Sequence, residues 1–186
     1  MSADLRRVAI DEHHRVVAGL LDAVGTVGDP IWHLGPTPTR WSAAALTLHV
    51  ADAYRYGADA ARGRATMRVR VPRVWAWFAR TVLLPRLLAA ERFPAGARSP
   101  DEVLPDLSRA ATLTKPDGLS MLQQCADDAL SALIEAHDTR PKTRIVHASF
   151  GSLSPLLALR LLSAHTRHHT AGMRERSALT PRRAGC

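Results

Sequence analysis

Four long stretches of the chain alternate apolar and polar residues with the period of an α-helix. Within each stretch aliphatic side chains recur at three- and four-residue steps, which places them on one face. The pattern predicts main helices over about residues 4–24, 42–61, 118–137 and 154–173. Very little of the sequence has the two-residue alternation of a strand. The sequence therefore predicts an all-α protein, an antiparallel four-helix bundle.

A segment rich in proline and tryptophan is inserted between the second and third of these helices. It predicts a helix over about 73–91, with a bend near Pro85 because proline interrupts helical hydrogen bonding. An irregular excursion follows over 93–116, with one short helix near 105–112. We expect it to cover one end of the bundle and to form the mouth of a pocket there. The aromatic residues expected to be at least partly buried are Trp75, Trp77 and Phe78.

The length of 186 residues suits one domain with its own core. We assign residues 1–173 to a single helical-bundle domain and expect 174–186 to be a basic, disordered tail. Cys125 and Cys186 are far apart, which argues against a disulfide framework and favours a cytoplasmic location. Cys125 has no basic neighbour in the sequence and is expected to be structural. No apolar run has membrane-spanning length, so no membrane partner is expected.

The formal charge of +8 comes almost entirely from arginine, concentrated in residues 62–73 and in the C-terminal tail. The simplest interpretation is an arginine-rich solvated surface. Basic patches also bind nucleic acid, anionic membranes or acidic small molecules. The sequence lacks a recognition helix, an aromatic-studded strand pattern and a glycine-rich nucleic-acid loop. We therefore expect a small-molecule partner and no nucleic acid, and a homodimer is compatible with the pattern.

Two histidines in the last helix are candidates for metal binding. Leu161, His165 and His169 follow one another at four-residue steps, so both imidazoles share the face that carries the leucine stripe. Neutral imidazole is the commonest nitrogen ligand for zinc, nickel or copper. The pair is either a pair of metal ligands or two core histidines with satisfied hydrogen bonds. His168 lies about 100° around the helix from His169 and is not expected to be a ligand.

A third candidate ligand lies in the second helix. His49 is two turns past Ser42 and shares a side with Leu46, Val50 and Ala53, so it should face the core. Asp52, one turn later, either orients a ligand, touches substrate, or is a plain exposed aspartate. Three other histidines are either stray ligands or, more simply, surface or helix-end residues: His13, His14 and His33.

These motifs together resemble the DinB-like superfamily. The resemblance lies in the Trp41-Ser42 helix start, the histidine seven residues after that serine, the late His-x-x-His-His sequence and the Phe150-Gly151-x-Leu153 lead-in. It implies a helical bundle and a divalent transition metal, zinc or nickel, bound by His49, His165 and His169. Superfamily members include metal-dependent thiol transferases and mycothiol-dependent maleylpyruvate isomerases. Many carry glutamine three residues after the last histidine, where this chain has Gly172.

Three neutral nitrogen ligands leave a metal with an open position, as in a catalytic site. Taken with this open position, the resemblance implies a metal-dependent thiol transferase or related isomerase acting on small electrophiles, with a low-molecular-weight thiol such as glutathione or mycothiol. The arginines of residues 62–73 are candidates to hold the carboxylates of that thiol. No general base is assigned, because Thr166 follows His165 where a zinc protease would carry glutamate. The alternative is a non-catalytic bundle for stress response or interaction, with a structural metal or none.

Overall fold

The computed structural model describes residues 2–37, 39–90, 93 and 99–178. Its helices are α1 (Ser2–Gly25), α2 (Ala43–Ala61), α3 (Arg73–Phe78), α4 (Leu84–Ala90), α5 (Leu107–Thr112), α6 (Lys115–Thr139) and α7 (Pro155–Ser177). Its strands are β1 (Ile145–His147) and β2 (Gly151–Leu153). Helix dominates, which confirms the all-α prediction.

The four long helices form the bundle. Helices α1 and α2 each pack against both α6 and α7, and α6 also packs against α7. Their facing sides bury leucine, valine and alanine, with Tyr54 as the largest fully buried side chain. Burial of these apolar stripes is the main favourable contribution to folding. The four-helix architecture predicted from the sequence is therefore confirmed.

The starts of the long helices follow from their capping residues. The Ser42 Oγ accepts a hydrogen bond from the Ala45 amide, and the Ser154 Oγ accepts one from the Leu157 amide, as predicted. Thr114 caps α6 and Pro116 occupies its first turn, so that helix begins three residues before the predicted position 118. All three caps satisfy amide groups that would otherwise lack partners.

Helix α7 continues beyond Met173 to Ser177. Arg176 is buried there, with only 5% of its surface exposed, because its guanidinium donates hydrogen bonds to the Trp41 and Gly172 carbonyls. The expected boundary at residue 173 therefore does not coincide with the end of the helix. Residues 179–186 of the expected tail lie outside the described residues.

The bend predicted near Pro85 takes the form of a π-helical turn. This turn spans Ala79–Leu83 and joins α3 to α4. Proline removes an amide donor and its ring collides with the carbonyl four residues earlier, so the widened turn comes just before Pro85. Glu91, the expected end of this helix, lies outside the described residues. The short helix predicted near 105–112 is confirmed as α5, capped by Asp106.

The aromatic residues of α3 are partly buried, as the sequence predicted. Trp75 is 50% exposed and Trp77 is 57% exposed. Phe78 is intermediate, and its ring lies 5.4 Å from that of Trp75. About half of each indole therefore remains exposed to solvent.

A small antiparallel hairpin, which the sequence did not predict, precedes α7. Ile145 pairs with Leu153 and His147 with Gly151. Three-residue strands are too short to show an alternating pattern. Gly151 adopts a φ of +65°, which glycine reaches without the steric cost that other residues incur. None of the described helices is long and apolar enough to cross a membrane.

Candidate metal centre

Helices α2 and α7 supply the imidazoles of the site. His49 lies in the second turn of α2 and is fully buried, as the sequence predicted. His165 and His169 lie one turn apart on the middle of α7. The two helices are joined beside the site by a buried 2.6 Å hydrogen bond between the Tyr54 hydroxyl and the Thr166 Oγ1. This bond limits how far α2 can slide along α7.

The three histidines predicted from the sequence point their Nε2 atoms at one another. The His165 Nε2 lies 3.1 Å from the His49 Nε2 and 3.0 Å from the His169 Nε2. One ligand atom from each residue lies within 4.8 Å of the other two. Zinc–nitrogen bonds of about 2.0–2.1 Å place neighbouring ligand nitrogens about 3 Å apart. The observed spacing therefore fits a shared cation.

The outer nitrogen of His49 is held by the backbone. The Nδ1–H of His49 donates to the Val103 carbonyl at 2.6 Å, from a 3₁₀ turn (Asp101–Val103) of the inserted segment. A carbonyl accepts only, so this bond puts the proton on Nδ1 and leaves a lone pair on Nε2. Metal-binding histidines are commonly oriented through their second nitrogen in this way.

The short nitrogen–nitrogen contacts are poorly satisfied by protons alone. With the His49 proton on Nδ1, one proton on the His165 Nε2 can serve only one of its two contacts. If His169 donates instead, the lone pairs of His49 and His165 face each other. A cation at the shared point accepts all three lone pairs at once. The donor set therefore fits a divalent transition metal.

Burial keeps these imidazoles neutral. It is the main cause that lowers the pKa of His49, against the opposing effects of the Val103 hydrogen bond and the charge of Asp52. The pKa values of His165 and His169 lie well below the usual range, first because both are buried and then because of neighbouring histidines. A neutral imidazole has the lone pair that a metal requires. The ligand set is thus ready for metal at neutral pH.

Aromatic rings and one arginine surround the ligands. The Trp41 ring lies 4.8 Å from the His49 ring, and the Phe93 ring lies 5.9 Å from the His165 ring. No described residue hydrogen-bonds the buried Nδ1 of His165. Where many superfamily members carry glutamine, the Gly172 carbonyl accepts from Arg176 at 2.6 Å. Arg176 therefore occupies this side of the site, where it donates hydrogen bonds to backbone carbonyls and to none of the three histidines.

A cavity of about 720 Å³ opens beside two of the ligands, His165 and His169. Its walls come from α2, the α3–α4 segment, the hairpin and α7. Pro100 and Val103 of the inserted segment also line it, so the described part of the excursion does cover this end of the bundle. His49 is absent from the lining and lies behind the other two ligands. The open side of the centre therefore faces the cavity.

His168 and Asp52 stand beside the centre without joining it. His168 lines the cavity, and its ring lies 5.6 Å from that of Phe93, but it is outside the converging group. Asp52 is neither exposed nor bonded to a histidine. Its side chain is 18% exposed and pairs with Arg55 at 2.6 Å. Asp52 is also absent from the cavity lining, so none of the three roles that the sequence suggested describes it: a ligand orienter, a substrate contact or a plain surface residue.

Two arginines of residues 62–73 form ion pairs at the surface, in keeping with the simplest interpretation of this basic stretch. Arg62 pairs with Asp128, and Arg70 pairs with Asp101 and Glu102. None of the arginines in residues 62–73 lines the cavity, so this stretch does not place a cation where a substrate would bind.

Two side chains have surroundings that differ from those expected from the sequence. Cys125 does have a basic neighbour, since the Arg55 Nη2 lies 3.9 Å from its Sγ, but burial raises the pKa of the thiol and keeps it protonated. His13 is 1% exposed rather than on the surface, with its ring 5.4 Å from that of Tyr54. No sequence signal separates His13 from the exposed His14 beside it except its position on the apolar face of α1.

Two residues beside the site that the sequence did not predict lie in the inserted segment and the hairpin. The Val103 carbonyl could not be found, because every residue carries one. His147 of β1 lines the cavity, and burial lowers its pKa to about 4. Its position just before the Phe150-Gly151 motif was the only available signal.

Comparison with known proteins agrees with the fold and the site. No curated protein and no solved structure gives a significant match to the chain. A family model described as the DinB superfamily matches residues 10–173, a range that includes all three converging histidines. The match covers most of the sequence, and the bundle and histidine cluster are in keeping with it. The chain belongs to the DinB superfamily.

Proposed function

We propose that this protein is a metal-dependent thiol transferase, or a related isomerase, that acts on small electrophiles. One observation carries the proposal: three neutral imidazole nitrogens converge at the edge of a cavity that is large enough for a small molecule. A closed structural zinc site has four protein ligands, whereas three ligands beside a cavity leave room for an exogenous one. We infer zinc or nickel as the metal, since both suit imidazole ligands.

The reaction is the transfer of an organic group to sulfur. The sulfur of the thiol forms a new bond to an electrophilic carbon, and the leaving group departs with the electron pair of the bond that breaks. The thiol proton is released to solvent. His49, His165 and His169 would hold a divalent metal, and when bound it would supply the Lewis acidity that favours the thiolate over the thiol at neutral pH.

The protein's own residues orient the ligands and exclude water. The Val103 carbonyl holds the proton of His49 on Nδ1, so its Nε2 stays directed at the centre. Trp41 and Phe93 cover the imidazoles on two sides. Among the described lining residues there is no aspartate or glutamate to serve as a general base. This composition suits a reaction whose nucleophile needs no carboxylate to remove its proton.

Metal analysis combined with an activity assay tests the proposal. Protein purified without chelator should contain about one zinc or nickel ion per chain, in keeping with a single three-histidine site. It should accelerate the reaction of a small thiol with an alkyl or aryl halide. His49→Ala, His165→Ala and His169→Ala should each lose the metal and the activity. His33→Ala, at an exposed position on a different part of the chain, is the control and should keep both.

Two results would contradict the proposal. Wild-type protein that carries no transition metal, and does not respond to added zinc or nickel, would show that the cluster is a group of core histidines. Metal binding without thiol transfer, across several thiols, would favour the non-catalytic alternative with a structural metal.

A further inference from the structure

The cavity beside the histidines is lined mainly by apolar side chains. Six of the larger apolar lining residues come from four different parts of the chain: Met67, Leu83, Leu87, Phe150, Leu161 and Leu162. Trp75 adds one indole face at the wall formed by α3. Its volume of about 720 Å³ lies in the range of pockets that hold drug-sized molecules. The cavity can therefore enclose an aromatic or branched aliphatic group.

Several polar groups of the lining are already used by the fold. The Tyr56 hydroxyl donates to the Val146 carbonyl at 2.9 Å. The His147 Nδ1 accepts a hydrogen bond from the Ser149 amide at 3.2 Å. These contacts leave the walls with few groups that could replace the hydration of a polar ligand.

The charge of the lining restricts the ligand further. Arg86 is its one arginine or lysine, and no aspartate or glutamate accompanies it among the described lining residues. Arg86 is exposed and makes no ion pair with any described residue. With a divalent metal at the histidines, the field inside the cavity is positive. A cationic ligand is disfavoured, and a single negative charge is tolerated.

The free energy of desolvation favours apolar ligands over polar ones in this cavity. A sugar-like or multiply charged molecule would lose its hydration without equivalent hydrogen bonds, which is unfavourable. An apolar molecule gains free energy in proportion to the apolar surface that it removes from water. We propose that this cavity selects apolar organic molecules, aromatic or branched aliphatic, that carry at most one negative charge. This inference rests on the proposed function: the apolar molecule is the electrophilic substrate, and its reactive carbon lies at the end of the cavity formed by His165 and His169.

Two tryptophans of α3 provide a matched pair for the test. Trp75 lines the cavity, whereas Trp77, on the same helix and exposed to a similar degree, does not. Because both are half exposed, replacing either by alanine should leave the bundle folded. The binding probes are 1,3-dinitrobenzene, which is apolar and has no leaving group, and succinate, which is a polar dianion. Binding to the zinc-loaded protein is measured by titration calorimetry.

Wild-type protein should bind 1,3-dinitrobenzene at least tenfold more tightly than succinate. Trp75→Ala should weaken that binding about three- to tenfold, the range for loss of one aromatic contact. Trp77→Ala should leave the affinity within about twofold of wild type. The proposal is overturned if succinate binds as tightly as dinitrobenzene, or if the two tryptophan variants lose affinity equally.

A turnover assay separates this inference from the proposed function. With 2-mercaptoethanol and 1-chloro-2,4-dinitrobenzene, sulfur bonds to the ring carbon that carries chlorine, chloride leaves, and the thiol proton passes to buffer. Tight dinitrobenzene binding without turnover of this or any other electrophile would support the cavity's selectivity and count against thiol transfer. Turnover of iodoacetamide, a small polar electrophile, without dinitrobenzene binding would support thiol transfer and overturn the selectivity.

Discussion

Acid should destabilise this protein through His13, which is buried in α1. Its side chain is 1% exposed, and neither ring nitrogen makes a well-directed hydrogen bond to a described residue, although the Ala126 backbone lies close enough to favour the protonated form. Burial, followed by the charge of His14, lowers the pKa of His13 from 6.5 to about 4. The native state therefore resists protonation between these two pH values, while the unfolded state takes up a proton. Stability contributed by neutral His13 is complete above pH 7 and is lost as the pH falls from 6.5 towards 4.

The size of the effect follows from the two pKa values. At about 1.4 kcal/mol for each pH unit, the shift from 6.5 to about 4 corresponds to a total loss of about 3 kcal/mol. About 2 kcal/mol of this loss should occur between pH 7 and pH 5. For a chain of this size that free energy lowers the melting temperature by about 4–8 °C. The other buried histidines add to the loss in wild type, so the contribution of His13 is obtained by comparison with variants.

Two substitutions distinguish protonation from the cost of burying a polar ring. His13→Leu removes both the titrating group and the unsatisfied nitrogens, whereas His13→Asn removes only the titration. Both variants should lose about 2 kcal/mol less than wild type between pH 7 and pH 5, measured by urea denaturation at each pH. Only His13→Leu should be as stable as wild type or more stable at pH 7. If the pH dependence of His13→Leu and His13→Asn equals that of wild type, the native His13 is protonated normally and the reasoning is wrong.

Three further predictions concern the site and its supports. A chelator should lower the melting temperature of wild type by about 5–10 °C, since a metal at about a hundred times its dissociation constant adds about 2.7 kcal/mol to the free energy of unfolding. The chelator should not change the melting temperature of His165→Ala, and an equal shift in both proteins would exclude a metal at this residue. Tyr54→Phe should lower the free energy of unfolding in urea by about 1–3 kcal/mol, because the buried Thr166 hydroxyl loses its 2.6 Å partner. A decrease below about 0.5 kcal/mol would mean that the bond does not hold α2 against α7. Arg176→Met keeps the buried length of the side chain but leaves the Trp41 carbonyl without its two donors at 2.9 and 2.7 Å. The free energy of unfolding in urea should therefore fall by about 1.5–3 kcal/mol, and an unchanged midpoint would refute the role of this contact.

The sequence by itself determined the features that depend on near neighbours in the chain. Helical periodicity placed His165 and His169 on one inward face, and serine caps located the starts of α2 and α7. These features depend on backbone geometry within one or two turns, so the local sequence specifies them. His49 was predicted as the third ligand because it lies on the inward face of its own helix and because its motif resembles that of the superfamily. That the three histidines bind metal in the protein stays a prediction.

Only the tertiary structure decided the features that depend on distant segments. The Val103 carbonyl bonds His49 from 54 residues away, and a carbonyl carries no residue identity to read. The Arg55 contact to Cys125 spans 70 residues and depends on how α2 lies against α6. Burial of His13 and the half-exposure of Trp75 likewise follow from which faces the neighbouring helices cover. The shape and apolar character of the cavity arise where several separate segments meet, and packing across such distances is set by the whole fold.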